Sequence, residues 1–262
     1  MTNESPIVRI SNLRLERGGS TVLSDINLEV PRGRIVAVLG PSGSGKSTLL
    51  AALTGELSPA AGTVEVLGQS VPQRRRDLLE LRKGIGVLLQ GNGLLTDLTA
   101  AENVALPLRA HTNLPDAVIR QLVLMKLHAV GLRAAADAFP RELSGGMARR
   151  VALARALALD PPLMIYDEPL TGLDPIASGV VMDLMRRLND TLGLTSIVVT
   201  HHVHETLPVA DQAIVIANGR IVFAGTPSQL ESSQDPLVRQ FLKGEPDGPI
   251  AFDAAPRAPE AA

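Results

Sequence analysis

The chain has 262 residues, enough for one large domain or for one domain with a subdomain and a tail. Hydrophobic residues make up 45% and aromatic residues only 2%, so Val, Ile, Leu and Ala must fill the core. The formal net charge of −2 argues against wholesale binding of nucleic acid, and the absence of cysteine excludes a disulfide framework and a thiolate metal site.

The N-terminus and the hydropathy pattern bear on location. The first residues carry no basic region followed by an apolar run, so we predict no signal peptide. No apolar stretch reaches the roughly 18 residues that a membrane-spanning helix requires. We therefore expect a cytoplasmic chain that reaches any membrane only from its side.

The first part of the chain is dominated by predicted strands. Alternating apolar residues predict strands at 7–15 and 21–30, and the apolar run at 35–39 predicts a buried strand followed by a helix at 47–53. Further strands are predicted at 63–67 and 84–90, with a charged, solvated helix at 73–83 between them.

The pattern then changes to helices, predicted at 101–110, at 115–130 and from Ser144 onward. Strands return at 163–166, 196–200 and 212–216. Short apolar strands alternating with helices indicate an α/β fold with a mostly parallel sheet. We predict a core of residues 6–90 and 160–243, a helical insertion at 91–159 and an extended tail at 244–262.

The segment between the buried strand and its helix fits the phosphate-binding pattern G-x-x-x-x-G-K-[ST]. Its glycines let backbone N–H groups surround a triphosphate, Lys46 supplies a charge, and the Ser47 hydroxyl can hold Mg²⁺. A glycine-rich turn that ends in Lys-Ser by chance is the alternative, and the flanking strand and helix argue against it. The candidate phosphate-binding residues are Gly40, Pro41, Ser42, Gly43, Ser44, Gly45, Lys46, Ser47 and Thr48.

Two further motifs complete the candidate site. Asp167 and Glu168 end an apolar strand, where Asp167 could hold Mg²⁺ and Glu168 could act as a general base; a solvated acidic pair is the alternative. Ser144 is a good helix N-cap, and Gly145 and Gly146 leave that helix end open to an anion, although a plain capped helix has the same sequence.

These motifs resemble the ATP-binding-cassette (ABC) ATPases in order and in approximate spacing. The resemblance implies a P-loop NTPase cassette with an N-terminal antiparallel β portion and an inserted helical subdomain. It also implies a head-to-tail homodimer in which one subunit's phosphate loop and the other's Ser144-Gly145-Gly146 enclose each ATP. By the same resemblance, Gln90 senses Mg²⁺ and the attacking water, His201 contacts the γ-phosphate and Asp174 lies at the dimer seam.

Three positions depart from the family pattern. Arg17 stands where an aromatic residue usually stacks on adenine, which makes the base contact less certain, although a guanidinium can also stack. Met147 replaces the usual Gln of the signature, and His202 replaces the usual Asp after His201.

The histidines at 201, 202 and 204 raise the alternative of a metal site. Adjacent histidines are expected to point in different directions, and Glu205 is the only carboxylate nearby in the sequence. We therefore favour the γ-phosphate role for His201 and exposed positions for the other two at the start of a helix.

The segments 107–115, 143–157, 235–242 and 247–249 resemble the ATPase subunits of the Mla branch, which serve bacterial outer-membrane lipid asymmetry, and this resemblance covers nearly the whole chain. This resemblance implies an integral-membrane permease, a periplasmic lipid-binding subunit, a cytosolic STAS-domain partner, a phospholipid cargo, and a place on the cytoplasmic face of the inner membrane. In the tail, Ile250 and Phe252 lie two apart and can point to one side of an extended segment, which predicts a docking segment. The same resemblance implies that the docking site is the other ATPase subunit, so that the tail clasps the dimer; a floppy end is the alternative.

Overall fold

The computed structural model of the protein describes residues 5–250, which contain two sheets and the helices around them. The strands are β1 (Val8–Arg17), β2 (Ser20–Val30), β3 (Ile35–Leu39), β4 (Ala61–Val66), β5 (Gln69–Ser70), β6 (Ile85–Leu88), β7 (Leu163–Asp167), β8 (Thr195–Thr200), β9 (Gln212–Ala217) and β10 (Arg220–Gly225). The helices are α1 (Lys46–Leu53), α2 (Arg75–Lys83), α3 (Ala100–His111), α4 (Asp116–Ala129), α5 (Gly145–Ala156), α6 (Pro175–Leu192), α7 (Val203–Thr206), α8 (Pro227–Glu231) and α9 (Pro236–Lys243).

The smaller sheet is antiparallel and has the strand order β2-β1-β4-β5. Apolar side chains alternate along β1 and β2, because one face of the sheet packs on the core while the other is solvated. This sheet is the N-terminal antiparallel portion that the family resemblance implies.

The larger sheet has the order β10-β9-β3-β8-β7-β6. All of its neighbouring pairs are parallel except β9 with β10. Strands β3 and β8 are buried along their whole length, as expected for a parallel sheet covered on both faces. The predicted mostly parallel core is therefore confirmed.

Alternate residues of β7 show how the two faces of the larger sheet are covered. Met164 and Tyr166 pack with the apolar side chains of α3, α4, α5 and α6. Leu163 and Ile165 pack on the opposite face with α1 and the antiparallel sheet. The strand therefore ends between two packed layers, and this holds the residues that follow it in place.

The predicted elements agree with the observed ones to within a few residues, with some omissions. The strand predicted at 84–90 ends at Leu88, so Gln90 lies in the loop beyond it. The pattern did not predict β5, β10, α6, α8 or α9 individually. The helix predicted to be solvated, α2, buries Leu81 on its inner side.

The start of the C-terminal tail folds back on α9. The buried Gln240 side chain accepts a hydrogen bond from the Ile250 backbone N–H (2.7 Å) and donates to the Ile250 carbonyl (3.1 Å). Phe252, the second residue of the predicted apolar pair, lies outside the described residues. No helix among residues 5–250 is long and apolar enough to cross a membrane.

Candidate functional site

The phosphate loop joins the end of β3 to the start of α1, as the motif predicts. Gly43 and Gly45 have φ values of 78° and 102°, which L side chains rarely adopt, and a Cβ on Gly45 would lie 2.6 Å from the Leu23 side chain. Both positions therefore require glycine. Ser44 Oγ is buried and has no hydrogen-bond partner among the described residues, as expected of a group positioned for an external acceptor or donor.

Lys46 is the first residue of α1, and its side chain turns back into the loop. Its Nζ donates to the Gly40 carbonyl at 2.8 Å and to the Pro41 carbonyl at 2.9 Å. Burial lowers the pKa of Lys46, while the nearby charges of Glu168 and Asp167 act in the opposite direction. The ammonium is thus held inside the loop by its own carbonyls, where incoming phosphate oxygens can replace them.

Asp167 and Glu168 lie at the carboxyl end of β7, beside this lysine. Burial raises the pKa of Asp167, the Glu168 charge raises it further, and Lys46 opposes both effects. Asp167, Glu168 and Lys46 therefore form one electrostatically coupled group, although more than 120 residues separate the lysine from the two carboxylates.

Glu168 is held by both its backbone and its side chain. Its φ of 48° lies in the left-handed region, which is unusual for a non-glycine residue, and its N–H donates to the Val199 carbonyl at 2.8 Å. Its Oε2 accepts from the Thr200 hydroxyl at 3.0 Å, and its Oε1 lies 3.0 Å from His201 Nδ1. The adjacent strands β7 and β8 therefore fix this carboxylate at their carboxyl ends.

The second predicted anion site is built separately. Ser144 is the N-cap of α5, with its Oγ accepting from the Met147 N–H at 3.2 Å, so the predicted cap is confirmed. Ser144, Gly145 and Gly146 line a cavity of about 230 Å³ together with Asp174. None of the residues lining this cavity belongs to the phosphate loop of the same chain.

Gln90 and Arg17 are exposed residues at the margins of the site. Gln90 lies two residues beyond β6, and Arg17 ends β1 in the antiparallel sheet. Ser47 is also exposed, at the second position of α1, and Thr48 after it is buried.

The residues that sequence reasoning missed are the side chains that hold the Gln90 region. Arg149, buried in α5, donates to the Leu89 carbonyl at 3.2 Å and to the Thr171 carbonyl at 2.9 Å. Arg155 donates to the carbonyls of Asn92 and Gly93, which follow Gln90. A helix carrying three arginines on an otherwise apolar sequence was the available signal, because buried arginines need partners.

Asn103 secures the next part of the same loop. It is fully buried in α3, accepts from the Leu95 N–H at 2.9 Å, and donates to the carbonyls of Leu95, Leu98 and Thr99. The loop from Gln90 to α3 is consequently tied to two helices by side-chain hydrogen bonds rather than by apolar packing alone.

The three histidines are arranged differently from the expectation. The His201 and His202 rings lie together, with centroids 4.4 Å apart, and the carboxylate beside them is Glu168 rather than Glu205. His204 is exposed within α7, and His202 is its partly buried N-cap residue. The expectation that neighbouring histidines point apart is wrong for this pair.

Residues 23–171, more than half of the chain, match the family described as ABC transporter. The chain belongs to the ABC transporter family. It is 52% identical over 247 residues to the intermembrane phospholipid transport system ATP-binding protein MlaF of Haemophilus influenzae, covering 94% of each chain. As a member of this family carrying these motifs, the chain is an ATPase.

Solved ABC transporter subunits have the same fold. The cbiO1 subunit of the Clostridium perfringens ABC transporter complex cbiONQ superimposes with a TM-score of 0.83 at 29% identity, covering 92% of this chain and 96% of that one. A dimeric ATP-binding cassette in a post-hydrolysis state, bound to ADP and Pi, superimposes with a TM-score of 0.76 at 31% identity, covering 84% and 98%. The matched ABC fold includes both sheets and the helices between them.

Proposed function

We propose that this ABC ATPase drives a permease that moves phospholipids between the inner and outer membranes of a bacterium. One observation carries the proposal: the likeness to a phospholipid-transport ATP-binding protein extends over 94% of both chains. It therefore extends far beyond the phosphate loop and the other nucleotide-binding motifs.

In the proposed mechanism the phosphate loop binds the triphosphate of ATP. Lys46 exchanges the Gly40 and Pro41 carbonyls for β- and γ-phosphate oxygens, and the unpartnered Ser44 hydroxyl turns to a phosphate. Backbone N–H groups between Ser42 and Thr48 complete the cradle at the start of α1. Exposed Arg17 contributes a stacking surface for adenine in place of an aromatic ring.

Mg²⁺ fits the donors around this loop. Ser47, Asp167 and Gln90 offer a hydroxyl, a carboxylate and an amide oxygen, and hard oxygen donors are those that Mg²⁺ prefers. The ion would neutralise charge on the β- and γ-phosphates. The Coulombic interaction between Asp167 and Lys46 supports this placement, because two charges interact in this way only when they lie near each other.

Glu168 is the proposed general base, which takes a proton from the attacking water. Thr200 holds one of its oxygens, and the other lies beside His201 Nδ1 at 3.0 Å. When His201 contacts a γ-phosphate, that second oxygen becomes free to accept the proton. The strained φ of Glu168 is consistent with a residue whose position is set by function.

Hydrolysis is proposed to require two subunits. The Ser144-Gly145-Gly146 helix end lines a cavity that contains no phosphate-loop residue of the same chain, so it is available to the ATP of a second copy. The matched cassette that is dimeric with ADP and Pi supports a homodimer with Asp174 at its seam. We further propose that residues 6–90 and 160–243 act as the nucleotide-binding core and that residues 91–159 act as the inserted signature subdomain.

The permease is proposed to dock beside Gln90. A groove of about 330 Å³ runs between α2, β6, α3 and α5, and the exposed Leu79 lines it. Leu89, directly before Gln90, is also exposed. In the loop after Gln90, Leu95 is 51% exposed, whereas Leu94 packs against the helical core. Of these two leucines, Leu95 is therefore the one available to a partner.

The remaining partners are proposed from the resemblance to the Mla-type ATPase subunits that the sequence shows. They are a periplasmic lipid-binding subunit and a cytosolic STAS-domain subunit, in a complex with this chain on the cytoplasmic face of the inner membrane. The exposed Val118 and Met125 on α4 give the helical part an apolar surface for contact with the cytosolic subunit.

The test has an enzymatic arm and a lipid arm. Glu168→Gln should bind ATP and dimerise on it, yet hydrolyse it about 10²–10⁴-fold more slowly, because an amide is a far poorer base. The complex purified with its permease should carry phospholipid and should move labelled phospholipid between vesicles only with ATP. Turnover retained in Glu168→Gln would contradict the assigned base, and a complex that moves no phospholipid would contradict the cargo.

A further inference from the structure

Three metal-binding side chains lie together where β7 and β8 of the larger sheet end. They are Glu168, His201 and His202, which follow the carboxyl ends of these strands. One donor atom of each lies within 4.8 Å of the other two. His201 Nδ1 is 3.0 Å from Glu168 Oε1, and the two imidazole rings are tilted by 34° with centroids 4.4 Å apart. The proposed hydrolysis uses Glu168 and His201 but gives His202 no role.

The cluster is held in place by the sheet rather than by chance contacts of surface side chains. Strands β7 and β8 are parallel neighbours, with Asp167 opposite Val199. Thr200 connects the two arms: its hydroxyl donates to Glu168 Oε2 at 3.0 Å and accepts from the His202 backbone N–H at 3.0 Å. With Oε2 held by Thr200, the Glu168 carboxylate is oriented in the way that outer hydrogen bonds orient metal ligands, and its Oε1 faces His201.

We propose that Glu168, His201 and His202 form a binding site for Zn²⁺ or a similar divalent transition-metal ion. Two imidazole nitrogens and one carboxylate oxygen form a donor set that zinc uses, with its fourth position left to water. Zinc–ligand bonds of about 2.0–2.2 Å place tetrahedral donors roughly 3.3–3.5 Å apart. Small side-chain rotations would bring the present donors to that spacing.

The site is accessible and differs in chemistry from the proposed Mg²⁺ site. The His201 side chain is 49% exposed and the Glu168 side chain 13% exposed, so an ion can enter from solvent. The nitrogen donors favour zinc over magnesium, which prefers the oxygen donors of Ser47 and Asp167. The full sequence contains no cysteine and five histidines, which leaves few competing zinc ligands elsewhere in the chain.

Occupation of this site would inhibit ATP hydrolysis. The ion would hold the Glu168 oxygen that is proposed to accept the proton, and it would keep His201 from the γ-phosphate. This consequence rests on the proposed function, whereas metal binding itself does not. ATP and the ion should also compete, because both require His201.

Metal binding is tested first, without nucleotide. The full-length, Mg²⁺-free protein is titrated with Co²⁺, whose visible absorption reports its ligands, and the signal is then displaced with Zn²⁺. Wild type should bind one equivalent. His202→Ala and His202→Gln should each lower the affinity at least about tenfold, the scale of loss when a metal site is perturbed. His204→Ala is the matched control, since His204 is exposed on α7 outside the cluster.

Inhibition is tested next, at Mg·ATP near its KM and at buffered free Zn²⁺, and raising the Mg·ATP concentration should relieve it. Wild type and His204→Ala should lose ATPase activity, while His202→Gln should keep both its basal rate and its activity in zinc. If wild type gives no saturable Co²⁺ signal, the site is overturned. The site is also overturned if His204→Ala lowers the affinity for Co²⁺ as much as the His202 variants do. Zinc binding without inhibition would overturn the consequence, and a zinc-free protein without ATPase activity would instead contradict the proposed function.

Discussion

Replacing Arg149 should destabilise the protein more than its place on a helix suggests. Arg149 is only 3% exposed, and its guanidinium donates to the carbonyls of Leu89 and Thr171. These carbonyls belong to the segment before Gln90 and to the loop after Glu168. Arg149 therefore connects both loops to the signature helix α5.

The expected loss follows from these contacts. Arg149→Met leaves two carbonyls without their charged donor, at about 1–3 kcal/mol each for an unsatisfied buried group. Burying the Arg149 charge itself costs free energy, because burial lowers its pKa and its Nε has no partner among the described residues. Arg149→Met removes this desolvation cost, which offsets part of the loss. We expect a net loss of roughly 2–3 kcal/mol in the free energy of unfolding, which lowers Tm by about 4–12 °C in a chain of this size.

The assay is urea unfolding of the purified subunit, followed by circular dichroism, with ATPase activity measured in parallel. Arg149→Lys should fall between wild type and Arg149→Met, because an ammonium keeps the charge but loses the planar fork. Arg187→Met is the matched control, since its one ion pair within residues 5–250 is an exposed one with Asp183. An Arg149→Met variant with the wild-type urea midpoint would refute the reasoning.

Three further outcomes test the site and its partners. Lys46→Ala should weaken ATP binding at least about tenfold, since a charged hydrogen bond contributes roughly 1.5–3 kcal/mol. Mixing this variant with Ser144→Arg should restore part of the ATPase activity if the sites are shared between subunits. Crosslinking at Asp174 then checks that mixed dimers form. Leu95→Glu should abolish stimulation by the permease and leave basal hydrolysis intact, whereas Leu192→Glu, on a side chain of similar exposure, should change neither. Truncation after Ile250 keeps the Gln240 contacts and should weaken dimerisation at dilute protein, with recovery at high concentration. Full dimerisation and turnover at all concentrations would show that residues 251–262 contribute nothing to the dimer.

The phosphate loop was predictable because its chemistry is local in sequence. The φ values of Gly43 and Gly45, the entry of β3 and the start of α1 are all set within about fifteen residues of Lys46. The same holds for Ser144, whose cap reaches only three residues ahead. Periodicity likewise predicted the main strands, since buried parallel strands are short and continuously apolar.

Contacts between distant segments were not predictable in this way. The pattern of apolar residues does not order the strands, so it could not place β7 beside β8 or bring Glu168 to Thr200 and His201. For the same reason Leu94 and Leu95 read alike in sequence, although one packs on the helical core and the other faces solvent.

The sequence by itself thus determined which residues can bind phosphate, cap a helix or enter a sheet, because those properties depend on the residue and its near neighbours. Only the tertiary structure decided which of them meet. Glu168 rather than Glu205 lies beside the two histidines, and Arg149 spans from α5 to carbonyls 60 and 22 residues away. These contacts depend on how the sheets and helices pack, and that packing involves the whole chain at once.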